Sequence, residues 1–117
     1  MEKDNEYLKD QILKMNEDTS LKTLQEYSNE MEDIRGFKND ARTTMLFLTE
    51  ELGELAKEVR KKENIYLDAS KSKELDLEGE IADVFMYLLS LCRIEDIDLL
   101  DAFKNKELKN CSRTWNN

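Results

Sequence analysis

Residues 39–63 read NDARTTMLFLTEELGELAKEVRKKE, and this stretch decides the fold. Met45, Leu48, Leu52, Leu55 and Val59 recur at steps of three and four, the period of one helical face. Asn39 or Asp40 can cap the start, and the pattern runs to about Glu63. Inside it lies an acidic motif, Glu50-Glu51-Leu52-Gly53-Glu54. Acids three and four apart share a helical face, with roughly 5–6 Å between neighbouring Cβ atoms.

A second helix is predicted from Ser72, as its cap, to about Arg93, with Leu77, Ile81, Val84, Phe85, Leu88 and Leu91 as its apolar set. It carries Glu80-Ile81-Ala82-Asp83. Residues 64–71 read as the intervening loop, in which Ile65, Tyr66 and Leu67 are candidates for packing. Each acidic motif is centred roughly ten residues from that loop, so about 15 Å along its helix at 1.5 Å per residue. An antiparallel hairpin would bring the two motifs to the same height. Clustered carboxylates cannot all stay ionised without a counterion. A carboxylate-only cluster suits a hard cation such as Mg²⁺, which usually brings substrate phosphates.

One Glu-rich run in so acidic a chain is more often a solvated helix face. Three details weigh against that here. Gly53 is mid-helix, where glycine costs about 1 kcal/mol relative to alanine. A close helix neighbour or a ligand would explain it. Phe47 lies one turn before Glu51, on the side of the acids. Asp83 is embedded among Ala82, Val84 and Phe85, where a charge is costly unless paired or metal-bound. Tyr87, one turn beyond Asp83, is equally a boundary tyrosine or a substrate contact. Lys106, Asn110 and Arg113 form one polar stripe, which taken alone faces solvent. Trp115 reads as a core plug or an aromatic wall.

The rest of the chain agrees with helix. It has 117 residues, 38% of them charged, no proline and three glycines. Leu8, Ile12 and Met15 allow one weak amphipathic helix in a charged extension, residues 1–20. Leu24, Tyr27, Met31 and Ile34 mark a helix over 21–35 that stops at Gly36, and Asp98 caps another reaching about Arg113. The fold class is all-α: an antiparallel helical bundle of about four to five helices, completed by oligomerisation. Leu46, Leu55, Phe85, Leu89 and Leu91 exceed what one small core can take. The expected organisation is the extension over 1–20 and one catalytic domain over 21–117.

Several classes fall away. With no histidine, neither a Glu-x-x-His di-iron site nor a Ser-His-Asp triad can form. There is no Walker A loop or dinucleotide fingerprint. A net charge of −9 argues against nucleic acid, though not against a nucleotide carried by Mg²⁺. No membrane span or signal peptide is visible, and Cys92 and Cys111 lack metal-ligand spacing. Reduced thiols and a cytoplasmic location are expected.

The motifs Glu50-Glu51-x-x-Glu54 and Glu80-x-x-Asp83, with flanks LTEELGELAKEVRK and EIADVFMYLLSLC, resemble the signature of MazG-like all-α nucleoside triphosphate pyrophosphohydrolases. Lys106-x-x-x-Asn110-x-x-Arg113-Thr114-Trp115 resembles the closing motif of that family. The resemblance covers roughly residues 21–115. It implies hydrolysis of a nucleoside triphosphate between the α and β phosphates, giving monophosphate and pyrophosphate and cleansing the nucleotide pool. Carried over, Glu51, Glu54, Glu80 and Asp83 would bind Mg²⁺, or Mn²⁺ in its place. Glu50 would orient or deprotonate the attacking water, or hold a further ion. Tyr87, Lys106, Asn110 and Arg113 would bind substrate. The resemblance also implies a homodimer or homotetramer with the site near a subunit interface. The alternatives are a phosphoribosyl-ATP pyrophosphohydrolase, a dUTPase-like diphosphatase, or a catalytically silent helical regulatory or partner-binding module.

Overall fold

The computed structural model describes residues 2–65 and 75–115. Among these every regular element is a helix: α1 (Asn5–Leu13), α2 (Leu21–Arg35), α3 (Ala41–Lys62), α4 (Leu77–Ile94) and α5 (Leu99–Cys111). An all-α chain is what the periodicity predicts.

The helix ends follow from local chemistry. Asp4, Ser20, Asp40 and Asp98 each precede a helix, and each side chain accepts a hydrogen bond from the N–H three residues on. That satisfies one of the four donors every helix start leaves open. Three ends close on a left-handed residue: Gly36 (φ 71°), Asn64 (φ 56°) and Asp96 (φ 53°). In each case the next N–H reaches back five residues, Phe37 to Glu32, Ile65 to Arg60 and Ile97 to Cys92. Asn and Asp tolerate this conformation better than other non-glycine residues.

Two predicted boundaries move. Ser72 lies outside the described residues, while Leu75 and Asp76 are non-helical and α4 starts at Leu77. Asp76 does the capping: its carboxylate accepts the Gly79 N–H at 3.1 Å. The final helix stops at Cys111, two residues short of Arg113, because Ser112 turns the chain and its hydroxyl bonds the Lys109 carbonyl. Of the loop residues expected to pack, Ile65 is exposed, and Tyr66 and Leu67 lie outside the described residues.

The chain divides into two compact units. One comprises residues 1–38 and 92–117. There α1 packs on α2, with Leu8 fully buried, Met15 half-buried and Ile12 exposed, so only one position of that stripe is core. Gln25 of α2 holds the start of α5 from both sides: its amide nitrogen donates to the Ile97 carbonyl at 2.9 Å, and its oxygen accepts the Leu99 N–H at 3.0 Å. Arg93 donates to the Asn29 carbonyl and pairs with Asp33 and Glu32. Cys92 is buried, and burial with the nearby Asp98 charge pushes its thiol up. Both cysteines are free, Cys111 being exposed.

The other unit, residues 39–91, contains α3 and all but the last turn of α4. These helices run antiparallel. Glu58 meets Asp76, Glu51 meets Asp83, and Phe47 meets Tyr87. Each step of seven or four residues down α3 is matched by an equal step up α4. The hairpin and the common height of the acidic motifs are as predicted. Of the apolar residues judged too many for one core, Leu89 is buried, Leu55, Phe85 and Leu91 are half-buried, and Leu46 is 61% exposed.

Candidate metal centre

Glu51 on α3 and Glu80 and Asp83 on α4 each offer one carboxylate oxygen, and the three oxygens lie within 4.8 Å of one another. All three residues are half-buried. One oxygen of Glu80 is buried with no hydrogen-bond donor. A buried acceptor among like charges is costly. Burial pushes the Glu80 carboxyl above its ordinary 4.5, and a side-chain hydrogen bond with Glu51 and the charges of Glu51, Asp83 and Glu54 push the same way. A divalent cation would supply the missing positive partner. Three hard carboxylate oxygens within 4.8 Å of one another fit Mg²⁺ or Mn²⁺.

The other predicted ligands and contacts divide. Glu54 is near enough to act on Glu80, but it lies outside the triad and its carboxylate pairs with Lys57 at 3.5 Å. Glu50 is exposed beside Glu51. Tyr87 stacks obliquely on Phe47, with ring centroids 6.1 Å apart. Burial first, then the charges of Glu51, Asp83 and Glu50, hold the Tyr87 phenol up and keep it protonated. This tyrosine therefore stands at the acidic site as a neutral donor. A Cβ on Gly53 would meet nothing within 4 Å among the described residues, so no described helix explains that glycine. The face beside Glu50 and Glu54 is open.

Lys106, Asn110 and Arg113 belong to the other unit. Arg113 lies just beyond α5, its guanidinium 4.4 Å from the centre of the Trp115 ring. The indole N–H donates to the Asn110 carbonyl at 3.3 Å. Trp115 is 59% exposed, an aromatic plate under Arg113 instead of a core plug.

Sequence reading missed Glu58. It is buried, its carboxylate accepting the Asp76 N–H at 3.0 Å and the Lys61 ammonium at 3.0 Å. These bonds, the Asp76 N–H foremost, hold its carboxyl below the ordinary 4.5. The available signal was spacing: Glu58 follows Glu51 by seven residues and shares its face.

Residues 39–115, well over half of the chain, match the model of the MazG nucleotide pyrophosphohydrolase domain, and the chain belongs to that family. No curated protein and no solved structure gives a significant match. No described helix is long and apolar enough to cross a membrane.

The two shifted carboxyls have opposite consequences for stability. Between 4.5 and its raised value, Glu80 holds a proton in the folded chain that it lacks in the unfolded one. Lowering pH through that interval therefore stabilises the metal-free fold. Glu58, with its value depressed, stabilises the fold above 4.5 and loses that contribution as pH falls through its lowered value. From these two groups, the melting temperature of metal-free protein should rise as pH falls through the raised Glu80 value toward 4.5, and fall as pH drops further through the lowered Glu58 value. Glu80→Gln should flatten the rise and keep the fall. Parallel curves for variant and wild type would remove Glu80 as its source.

Proposed function

We propose that this protein is a Mg²⁺-dependent hydrolase that splits a nucleoside triphosphate between the α and β phosphates, releasing monophosphate and pyrophosphate and cleansing the nucleotide pool. The observation that carries the reading is the convergence of the Glu51, Glu80 and Asp83 carboxylates within 4.8 Å, in a chain of a pyrophosphohydrolase family. Glu51, Glu80 and Asp83 would hold the ion, with Glu54 joining on release of Lys57. Mg²⁺, when bound, supplies Lewis-acid stabilisation of phosphate charge and a more acidic water. Glu50, exposed beside the triad, orients the attacking water and accepts its proton as oxygen bonds to the α phosphorus and pyrophosphate departs. Tyr87 donates its hydroxyl to the nucleotide. The test is a screen of nucleoside triphosphates with Mg²⁺ that resolves pyrophosphate from orthophosphate. Pyrophosphate with monophosphate is the expected pair. No product from any triphosphate would favour a silent binding module.

Lys106, Asn110 and Arg113 are assigned to grip the phosphates or the sugar. Arg presents a fork to phosphate and Lys a point charge. Arg113→Ala should raise KM severalfold with a smaller loss of kcat, whereas Glu51→Gln should strike kcat hardest. Wild-type kinetics for Arg113→Ala would make the stripe a solvated surface.

A homo-oligomer, most simply a dimer, accounts for the apolar surface. Leu46, Phe103 and Leu108 are each more than 60% exposed, and α5 buries no residue in the single chain. Burial of such surface is worth about 25 cal/mol per Å². Light scattering should give at least twice 13.8 kDa, and a monomer mass at micromolar concentration would contradict it. The two free thiols are in the state a reducing cytoplasm maintains.

A further inference from the structure

We infer that Glu58 is a positioning residue for the acidic site: its carboxylate clamps the start of α4 and thereby sets the height at which Glu80 and Asp83 meet Glu51. The part that concerns the cation rests on the metal-binding reading proposed above. The clamp itself does not.

The clamp is a short relay. The Glu58 carboxylate accepts the Asp76 N–H at 3.0 Å, on the last non-helical residue before α4. The Asp76 carboxylate accepts the Gly79 N–H at 3.1 Å, and the Asp76 carbonyl accepts the Glu80 N–H at 3.0 Å. Two residues thus connect α3 to the backbone of Glu80. A Cβ on Gly79 would meet the Asp76 carboxylate, so a larger residue there would make that side chain shift from its place in the relay.

The spacing shows what the relay controls. Glu58 follows Glu51 by seven residues, and Asp83 follows Asp76 by seven. Clamp and triad are therefore separated by about two turns, roughly 10 Å, on both helices. A helix is stiff over that length, so fixing Asp76 against Glu58 fixes the triad. A slip of one turn, about 5.4 Å, exceeds the 4.8 Å over which the three oxygens gather. Glu58 is a buried charge, 7% exposed, and its bonds to the Asp76 N–H and the Lys61 ammonium offset that cost. Its negative charge also faces the start of α4, the positive end of the helix dipole.

Four variants measured with Mn²⁺ and no nucleotide decide the matter. Calorimetry on Glu58→Ala should show Mn²⁺ bound roughly tenfold more weakly, the range for a residue that supports metal ligands. Glu58→Gln keeps an acceptor for the Asp76 N–H and should recover most of the loss. Lys61→Met removes only the ion pair and should bind as wild type. Amide exchange supplies a metal-free readout: Glu58→Ala should speed exchange at Gly79, Glu80 and Asp83 and leave α5 unchanged. A folded Glu58→Ala protein with wild-type Mn²⁺ affinity and wild-type exchange overturns the assignment. Should wild type bind no Mn²⁺, the metal reading fails and exchange alone decides the clamp. Should Glu58→Ala not fold, Asp76→Pro removes the backbone N–H that Glu58 accepts, and wild-type affinity and exchange there overturn it equally.

Discussion

Asp83→Asn is expected to abolish turnover while leaving far-ultraviolet circular dichroism unchanged. The carboxylate is one of three that converge, and with Glu80 it lies on the most apolar helix. A neutral amide is nearly isosteric, so packing around residue 83 survives. It is a poor ligand for a hard cation, so the stabilisation of phosphate charge does not. Several kcal/mol of transition-state stabilisation attach to a bound metal, and each 1.4 kcal/mol is tenfold in rate, so a loss of roughly a thousandfold is the scale expected. Steady-state kinetics at saturating Mg²⁺ measures it. Activity within a few-fold of wild type would detach Asp83 from any metal role.

Millimolar Mg²⁺ is expected to raise the melting temperature by about 10 °C. A ligand that binds only the folded state at a hundred times its dissociation constant contributes about 2.7 kcal/mol, and about 4 °C accompanies each kcal/mol in a domain of this size. Loss of one of the clustered charges should raise the melting temperature of the metal-free chain as well. Glu80 is pushed up by burial and by Glu51, Asp83 and Glu54, so Glu80→Gln should melt higher than wild type without metal and gain little from Mg²⁺. Differential scanning calorimetry with and without Mg²⁺ separates the two effects. A wild-type melting curve unmoved by Mg²⁺ would make the triad a solvated surface.

The helices themselves were legible because their signals are local. Asp98 and Gly36 declare their ends through side-chain chemistry or backbone freedom and act as predicted, and of the two candidates Asn39 and Asp40 it is Asp40 that caps α3. The facing of Glu51 with Glu80 and Asp83 was legible too, since equal spacing from a loop is arithmetic on a regular helix. Where local signals competed, the reading slipped. Ser72 and Asp76 are both capping residues, and the choice of Asp76 depends on Glu58 receiving its N–H from eighteen residues away.

By itself, then, the sequence determined the class of fold and the two acidic motifs that face each other. Helical periodicity and carboxylate spacing are properties of neighbouring residues, and they need no partner to be read. Only the tertiary structure decided which carboxylates share one spot and which do not. Glu54 and Glu58 carry the same group as Glu51 on the same face of α3. One is drawn off by Lys57, the other is taken up by the backbone of Asp76, and Glu51 remains with Glu80 and Asp83. Lys57 is a neighbour on the same helix, whereas the Asp76 N–H and the Glu80 and Asp83 carboxylates come from the opposite side of the hairpin, so what Glu58 and Glu51 meet is set by packing.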